Sequence, residues 1–413
     1  MRFHLKARTG HPDFLDLPWD EPLEAWESPR MIEVPRGLHR HVVRFVQYES
    51  GLYVLKELPR RYALREYEFL GRLREERVPV VDVVGVVSHR VDVRGEPLSA
   101  VLITEHLRYS LPYRLLFQRR SAVELREPML DALVDLLARI HLVGFMWGDC
   151  SLSNTLFRRD AHRLAAYVVD VETGEWHDEL TDGQRMADLE TAIERCGGEL
   201  LDLQAQGVLT PDADPALLGE QLRERYGRLW SELTREEVFA PVERFRIHER
   251  LQRLNDLGYD VGELELIGEH DEPTAVRLRL QVVEPNRHSR LLRERTGIVA
   301  QDEQARVLMN DIASFGAWLD NEVGEGHDAE TITAEWLRRS YRAALSRVPD
   351  HLRARREDPQ LFVEVLEHWH DQCRDEGRDL QFLDAVADYV ETVLPYEPEE
   401  AVVADVPDED DLT

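Results

Sequence analysis

The sequence predicts an α+β protein of more than one domain: a small antiparallel sheet, then a helical region, then a second, mainly helical α+β region. Short runs rich in Val, Leu and Tyr surround one helical pattern before residue 108. Helical periodicity then dominates up to residue 235, and the character of the sequence changes near residue 236. A chain of 413 residues also exceeds the ~150 residues of a typical domain.

The first elements follow from the spacing of apolar residues. Residues 1–35 are rich in Pro and Trp and have no clear period, so we expect an N-terminal arm. From His41 onwards, two β-like runs flank Glu49-Ser50-Gly51, which predicts a hairpin. Apolar residues at helical spacing predict a helix over residues 60–77, and the next two strands flank a turn at Arg94-Gly95.

The helical region begins with "SAVELREPMLDALVDLLARIHLVGF", which predicts one long helix ending at Gly144. Residues 183–207 predict one or two helices, with a break at Gly197-Gly198. Beyond residue 236 the pattern predicts a helix ending at Gly258, two strands around an acidic turn, and a basic helix. Three or four more helices are expected, at roughly 302–320, 329–347, 358–378 and 380–394.

These patterns divide the chain into four parts. We expect an N-terminal arm at 1–35, a first domain at 36–235, a second domain of mainly helical α+β type at 236–395, and an acidic, disordered tail at 396–413. Within the first domain, the sheet-rich lobe should span about 36–107 and the helical lobe about 108–235.

Composition limits the classes of partner and compartment. The formal net charge is -30, which argues against binding to nucleic acid or to an anionic membrane. No apolar run approaches the ~18 to 20 residues of a membrane span. The N-terminus lacks the apolar core of a signal peptide, and the three cysteines show no paired spacing. We therefore expect a cytoplasmic protein without disulfides.

One set of polar residues matches the needs of phosphoryl transfer from ATP. That reaction needs a cation on the phosphates, oxygen ligands for Mg²⁺ and a carboxylate that orients the attacking hydroxyl. Lys56, one of only two lysines, lies mid-strand in "YVLKEL", where burial without an anionic partner would be unfavourable. Glu66 and Glu68 lie on the helix that follows. The apolar run "VLITEHL", residues 101–107, ends in polar residues, as a linker between two lobes should.

The remaining members of the set follow the long helix. Asp149 and Asn154 are five positions apart in "GFMWGDCSLSNTLF", and Asp170 ends the apolar strand "AAYVVD". Each residue alone has a simpler interpretation, because an Asp–Asn pair occurs by chance and an Asp at a strand end is more often a turn or capping residue. The ordered set is more informative, since strand pattern, helix pattern and spacing agree.

These motifs resemble the protein-kinase-like superfamily and, within it, the bacterial lipopolysaccharide (Kdo/heptose) kinases. "GFMWGDCSLSNTLF" resembles their catalytic loop, and "YVVDVETG" resembles their metal-binding strand. "REYEFLGRLREERVPV" resembles their first helix and favours Glu66 over Glu68 as the partner of Lys56. Asp188 in "RMADLETAIERC" matches a structural residue that supports the catalytic loop. The whole chain also resembles an uncharacterised bacterial family that carries a C-terminal domain of unknown function.

The resemblance implies a bilobal protein-kinase-like fold for the first domain. It also implies an ATP- and Mg²⁺-dependent phosphotransferase of the lipopolysaccharide or small-molecule kinase type. In that family's scheme Asp149 would orient the acceptor hydroxyl, and Asn154 and Asp170 would hold Mg²⁺.

The same resemblance assigns the nucleotide-binding residues. Lys56, paired with Glu66, would hold the α- and β-phosphates, and the backbone of Glu105 and Leu107 would hydrogen-bond the adenine. The acceptor stays open among small molecules, glycans and proteins, and the sequence does not define an oligomeric state.

Several positions depart from the family pattern. Trp147 stands where kinases have a His before the catalytic loop, and Val171-Glu172 follow Asp170 in place of Phe-Gly. The sequence has no glycine-rich phosphate loop, so Arg36, Arg40 or backbone amides would hold the phosphates. These departures keep a second hypothesis open: a nucleotide-binding pseudokinase or regulatory scaffold that acts through its C-terminal domain.

Three other features have two interpretations each. Cys150 fits a buried small residue better than a nucleophile, because no His–Asp pattern surrounds it. His141, at the end of the long helix, fits a packing or capping role better than that of a catalytic base. The basic segment "NRHSRLLRERTG" fits ion pairing within the chain better than binding of an anionic partner.

Overall fold

The computed structural model describes residues 3–32, 41–118, 126–209, 215–235, 237–239, 249, 252–254, 259–268, 276–323, 326–378 and 380–401. Of the strands at 237–239, 259–268 and 276–285, only the backbone is described. Within the described residues, no helix is long and apolar enough to cross a membrane. Several predicted features lie outside them: Arg36, Arg40, most of the helix before Gly258, the acidic turn that follows it, and most of the tail at 396–413.

The N-terminal lobe is a six-stranded sheet with one helix. Its strands are β1 His4–Ala7, β2 Met31–Ile32, β3 Val42–Tyr48, β4 Gly51–Leu58, β5 Val83–Ser88 and β6 Ala100–Glu105. All pair antiparallel, in the order β1–β5–β6–β4–β3–β2. Helix α1, Arg60–Glu75, joins β4 to β5. The predicted hairpin is confirmed, because Tyr48 pairs with Gly51 across a two-residue turn.

Both faces of this sheet are covered, which explains its nearly continuous apolar strands. Val83 and Val86 on β5 pack in the core beneath α1, whereas Val84 and Val87 pack in a second core on the other face. A bulge near Gly85 inserts one extra residue, so that Val83 and Val86, three positions apart, lie on the same face of the sheet. The N-terminal segment supplies much of the second core: Phe14, Leu17, Trp19, Leu23 and Trp26. The segment expected as an arm is therefore packed as part of this lobe.

The second lobe is mainly helical. Its elements are β7 Ser110–Pro112, α2 Tyr113–Gln118, α3 Arg126–Leu142, β8 Phe145–Met146, β9 Thr155–Asp160, β10 Arg163–Val168, β11 Glu175–Trp176, α4 Asp182–Ala205 and α5 Pro215–Thr234. Strands β7, β9 and β10 form an antiparallel sheet with β9 in the centre, and β8 pairs with β11. Helix α3 packs against β10 and α5. The short strands β7, β8, β9 and β11 were not predicted.

Helix α4 runs unbroken through Gly197-Gly198, so the predicted break is wrong. Thr181 and Gln184 form a capping box at its start. Its buried stripe continues across the two glycines: Leu189, Ala192, Cys196, Leu200 and Leu203. This packing outweighs the helix penalty of about 1 kcal/mol for each glycine.

The C-terminal region adds a small sheet and a group of helices. Strands β12 Glu237–Phe239, β13 Tyr259–Gly268 and β14 Val276–Pro285 pair antiparallel in the order β12–β14–β13. The helices are α6 Arg287–Thr296, α7 Asp302–Val323, α8 Ala329–Trp336, α9 Arg342–Leu345, α10 Asp358–Glu376 and α11 Phe382–Thr392. A π-helical turn, Leu337–Tyr341, joins α8 to α9. Short 3₁₀ turns are Leu23–Ala25, Asp350–Leu352 and Leu394–Tyr396.

Three hydrophobic cores organise these elements. One core lies above the N-terminal sheet, and a larger one runs from α1 through α3, α4 and α5, so it joins the two lobes. The third core belongs to the helices after residue 287, but it includes Ala161 from the turn between β9 and β10. The predicted α+β class and bilobal arrangement are confirmed, with a mainly helical α+β region after them.

Candidate active site

A buried ion pair lies where the N-terminal sheet meets α1. Lys56 on β4 places its Nζ 3.0 and 3.2 Å from the two carboxylate oxygens of Glu66 on α1. Glu66 is fully buried, so burial and the nearby charge of Asp170 raise its pKa to about 8, against the pull of Lys56. Burial lowers the pKa of Lys56, but the two carboxylates outweigh burial and the net shift is upward. The ammonium group therefore stays charged.

Asp170 joins this pair from the second lobe. Its Oδ2 lies 2.5 Å from Lys56 Nζ, although the two residues are 114 positions apart. The indole N–H of Trp147 donates to the carbonyl oxygen of Asp170 at 2.7 Å. The N–H of Glu172 donates to Asp170 Oδ1 at 3.1 Å. These bonds fix the carboxylate against the lysine, so both lobes meet at one ion-pair cluster.

Asp188 on α4 holds the backbone that leads into the loop after α3. Its buried carboxylate accepts the N–H groups of Trp147 at 2.7 Å and Gly148 at 2.8 Å, and it contacts His141 Nε2 at 3.2 Å. His141 Nδ1 lies 2.7 Å from the hydroxyl oxygen of Tyr226. Burial lowers the pKa of His141 despite the adjacent carboxylate. Asp188 and His141 are thus structural supports, as the sequence indicated.

Two glycines set the path of this loop. Gly144 follows α3 with φ +79°, and a Cβ there would lie 2.3 Å from the carbonyl oxygen of His177. Gly148, directly before Asp149, has φ +75°. Left-handed backbone favours glycine at both positions. The chain therefore turns sharply before and after Trp147, and Asp149 directly follows the second turn.

The loop brings Asp149 and Asn154 together. Asn154 Nδ2 donates to the carbonyl oxygen of Asp149 at 3.0 Å. The Asp149 carboxylate also pairs with Arg195 on α4, with Nη2 and Oδ1 3.1 Å apart. The N–H of Val169 donates to the carbonyl oxygen of Asn154 at 3.0 Å. Asn154 therefore lies beside the strand that leads to Asp170.

Residues 47–196 match the family model of the lipopolysaccharide kinase (Kdo/WaaP) family. We call this segment the kinase-family domain, after the family model that it matches. All seven site residues predicted from the sequence lie within it: Lys56, Glu66, Glu105, Leu107, Asp149, Asn154 and Asp170. Residues 228–394 match the model of a domain of unknown function, DUF4032. No curated protein matches the chain.

Two solved structures are similar to the chain over about half of its length. A structure described as WaaP in complex with acyl carrier protein is 17% identical, with a TM-score of 0.34, and the match covers 56% of this chain and 100% of that chain. A crystal structure of aminoglycoside-3'-phosphotransferase of type VIII is 16% identical, with a TM-score of 0.33, over 49% of this chain and 86% of that chain.

The linker of the kinase-family domain leaves β6 at Glu105. The N–H of Glu105 donates to the carbonyl oxygen of Asp82, and that of His106 donates to the carbonyl oxygen of Leu52, both at 2.8 Å. These bonds hold the start of the linker to the sheet. The side chain of Leu107 then packs against the large core that joins the two lobes. Burial lowers the pKa of His106 to about 4, and its Nδ1 has no hydrogen-bond partner among the described residues.

The sequence interpretation missed two charged neighbours of the site. Glu172 follows Asp170 closely, and its Oε2 lies 3.1 Å from His41 Nε2. Arg195 lies on α4, 46 positions after Asp149 in the sequence, and its guanidinium pairs with the Asp149 carboxylate. The sequence showed Glu172 only as a departure from the Phe-Gly that follows this aspartate in kinases, and that departure could have marked it as a neighbour of the site. No local pattern marks Arg195, because its contact is long-range.

The donor set at the site fits Mg²⁺. Glu66, Asp170 and Glu172 offer carboxylate oxygens that lie within 4.8 Å of one another. Asn154 lies on the adjoining loop, and its backbone carbonyl accepts the N–H of Val169, next to Asp170. Mg²⁺ prefers hard oxygen ligands, commonly one or two carboxylates together with substrate phosphates. Cys150, by contrast, is buried in the core, and burial raises the pKa of its thiol, which does not suit a nucleophile or a ligand.

Proposed function

We propose that the chain is an ATP- and Mg²⁺-dependent phosphotransferase of the lipopolysaccharide or small-molecule kinase type. One observation carries this proposal: Lys56 lies between Glu66 and Asp170 and contacts both carboxylates. A lysine held by a helix glutamate, next to a strand-end aspartate, is the arrangement that positions nucleotide phosphates in kinases. The match of residues 47–196 to a kinase family supports the same conclusion.

In this proposal the chain binds the nucleotide between its lobes. Lys56 holds the α- and β-phosphates, and Glu66 keeps the ammonium group in place. The backbone of Glu105 and Leu107 hydrogen-bonds the adenine. Asn154 and Asp170 hold Mg²⁺, which supplies positive charge against the phosphate oxygens when it is bound.

Asp149 orients the acceptor hydroxyl and receives its proton. The hydroxyl oxygen forms a bond to the γ-phosphorus while the bond from that phosphorus to the β–γ bridging oxygen breaks. ADP leaves with the electron pair of the broken bond. Arg195, which pairs with Asp149 at 3.1 Å, adds a positive charge beside the reacting groups, where transition-state charge develops. The acceptor is a hydroxyl of a small molecule, glycan or protein.

The domain division also remains a proposal. We place the kinase-like domain at 36–235, with the N-terminal segment packed on its sheet, and the C-terminal domain at 236–395, with the lobe boundary near residue 107. Use of ATP favours a cytoplasmic site of action.

The second hypothesis, a nucleotide-binding pseudokinase, is favoured by one observation. Glu172 takes the place of a glycine after Asp170 and is engaged by His41, so this part of the site departs from active kinases. A pseudokinase would still bind nucleotide through Lys56, but it would not use Asp149.

ADP formation from ATP in the presence of Mg²⁺ and candidate acceptors tests the choice between the two. Wild type, Asp149→Asn and Asp182→Asn are compared, because Asp182 is a highly exposed aspartate on α4 and serves as a matched control. We expect wild type and Asp182→Asn to form ADP, and Asp149→Asn to lose at least about 100-fold in rate. Nucleotide binding with equal, background turnover in all three would favour the pseudokinase.

A further inference from the structure

The turn between β9 and β10 belongs to two parts of the protein. Both strands lie in the kinase-family domain, yet Ala161 at the turn is buried in the core of the C-terminal helices. Ala161 also has φ +56°, a left-handed conformation that costs an L-residue about 1–2 kcal/mol. A two-residue hairpin turn favours a positive φ at its first central position, and glycine is absent here, so contacts with the C-terminal region help to support the turn.

Two buried glutamines of the C-terminal region make these contacts. Gln360 on α10 accepts the N–H of Ala161 through Oε1 at 2.9 Å and donates through Nε2 to the carbonyl oxygen of Ala161 at 3.2 Å. Gln304 on α7 donates through Nε2 to the carbonyl oxygen of Arg159 and to Gln360 Oε1, both at 2.9 Å. Side chains thus pair with the turn as a neighbouring strand would.

Asp160 completes this arrangement by capping a helix of the other domain. Its buried carboxylate accepts the N–H of Gln304 at 2.7 Å and that of Glu303 at 3.1 Å, in the first turn of α7. Helix N-termini have unpaired N–H groups and favour a negative charge. The hydroxyl of Tyr167 on β10 donates to Gln301 at 2.7 Å. We call Asp160, Gln304 and Gln360 the clasp.

The hairpin connects the clasp directly to the site. Strand β9 begins at Thr155, immediately after Asn154, and β10 ends two residues before Asp170. Six residue pairs join the two strands, so the clasp lies about 20 Å from the site at ~3.4 Å per residue. The bond from Val169 N–H to the carbonyl oxygen of Asn154 closes the near end. The paired strands therefore form a continuous structural connection between the clasp and the site.

We propose that the C-terminal domain positions Asn154 and Asp170 by holding the β9–β10 turn through the clasp. Asp160, Gln304 and Gln360 act through the hairpin, so they are positioning residues. This inference rests on the proposed function, in which Asn154 and Asp170 hold Mg²⁺. It gives a role to the region that matches the domain of unknown function.

The test uses the full chain with Gln360→Met and Asp160→Asn. Gln372→Met is the matched control, because Gln372 lies on the same helix but bonds to Asp388 at 2.7 Å, away from the hairpin. Hydrogen exchange is measured in peptides covering residues 149–157 and 164–172, and ATP affinity is measured with and without Mg²⁺. We expect both clasp variants to exchange faster in these peptides and to lose about tenfold of the Mg²⁺-dependent gain in ATP affinity. ATP affinity without Mg²⁺, and all properties of the control, should not change.

The outcomes separate this inference from the proposed function. If wild type and both clasp variants share the same Mg²⁺-dependent affinity and the same exchange, the inference is overturned and the proposed function stands. If wild type binds no ATP but the clasp variants exchange faster, the proposed function fails and the coupling through the hairpin stands.

A milder variant guards against unfolding of the clasp variants. Tyr167→Phe keeps the ring and removes only the hydroxyl bond to Gln301. Loss of one such bond should speed exchange in residues 164–172 by roughly two- to tenfold. Exchange at the wild-type rate in this folded variant would count against the inference.

Discussion

Replacing Asp188 by Ala should remove the hydrogen bonds that hold the backbone leading into the loop of Asp149 and Asn154. The fully buried carboxylate accepts the N–H groups of Trp147 and Gly148 at 2.7 and 2.8 Å and contacts His141 at 3.2 Å. Each buried polar group left without a partner costs about 1–3 kcal/mol. Three such groups predict that the free energy of unfolding of the kinase-family domain falls by at least about 3 kcal/mol.

Urea unfolding followed by circular dichroism measures this loss, and hydrogen exchange in a peptide containing Trp147 and Gly148 locates it. Asp188→Asn keeps one acceptor oxygen, so we expect a smaller loss than in Asp188→Ala. Asp182→Ala is the control, because Asp182 lies on the same helix with a largely exposed side chain, and it should stay within about 1 kcal/mol of wild type. An Asp188→Ala protein that also stays within about 1 kcal/mol would refute the reasoning.

Three further predictions follow from the structure. Gly144→Ala should lower the thermal midpoint, because φ is +79° and a Cβ would lie 2.3 Å from the carbonyl oxygen of His177. Iodoacetamide should modify one thiol in the native chain and three after unfolding, since Cys373 is partly exposed while burial raises the pKa of the other two thiols. Acid should destabilise the linker, because burial lowers the pKa of His106 to about 4 from an ordinary 6.5. As the pH falls below 6.5, His106 is protonated in the unfolded chain but stays neutral in the folded chain. Up to about 3 kcal/mol of folding stability, which is present above pH 6.5, is therefore lost as the pH falls towards 4.

Each of these predictions has a contradicting result. A Gly144→Ala protein that melts with wild type would show that the loop can adjust its path. Native labelling of more than one thiol would contradict the burial of Cys150 or Cys196. His106→Phe should flatten the loss of stability between pH 6.5 and 4, so equal acid sensitivity in variant and wild type would rule out His106 as its source.

The sequence predicted the order of the polar residues, and the structure places several of them together. Lys56, Glu66 and Asp170 could be selected because each lies on an element whose period is visible locally. The hairpin at Tyr48–Gly51 was predictable for the same reason. The predicted nucleotide and metal roles of these residues stay predictions.

The sequence could not predict the contacts that depend on distant segments. Arg195 meets Asp149 only because α4 packs beside the loop, and the glutamines of the clasp have no periodic signal. The break expected at Gly197-Gly198 failed because local propensity was outweighed by packing along α4. The role of the N-terminal segment was hidden because its buried aromatic residues follow no regular period.

The most direct test of the central claim is calorimetric binding of ATP with and without Mg²⁺, on wild type, Asp170→Ala and Asp350→Ala. Asp350 is an exposed aspartate of the C-terminal region and serves as the control. The account predicts that Mg²⁺ strengthens ATP binding in wild type and Asp350→Ala, and that Asp170→Ala loses this gain. Absence of ATP binding by wild type under both conditions would contradict a metal–nucleotide site at Lys56 and Asp170.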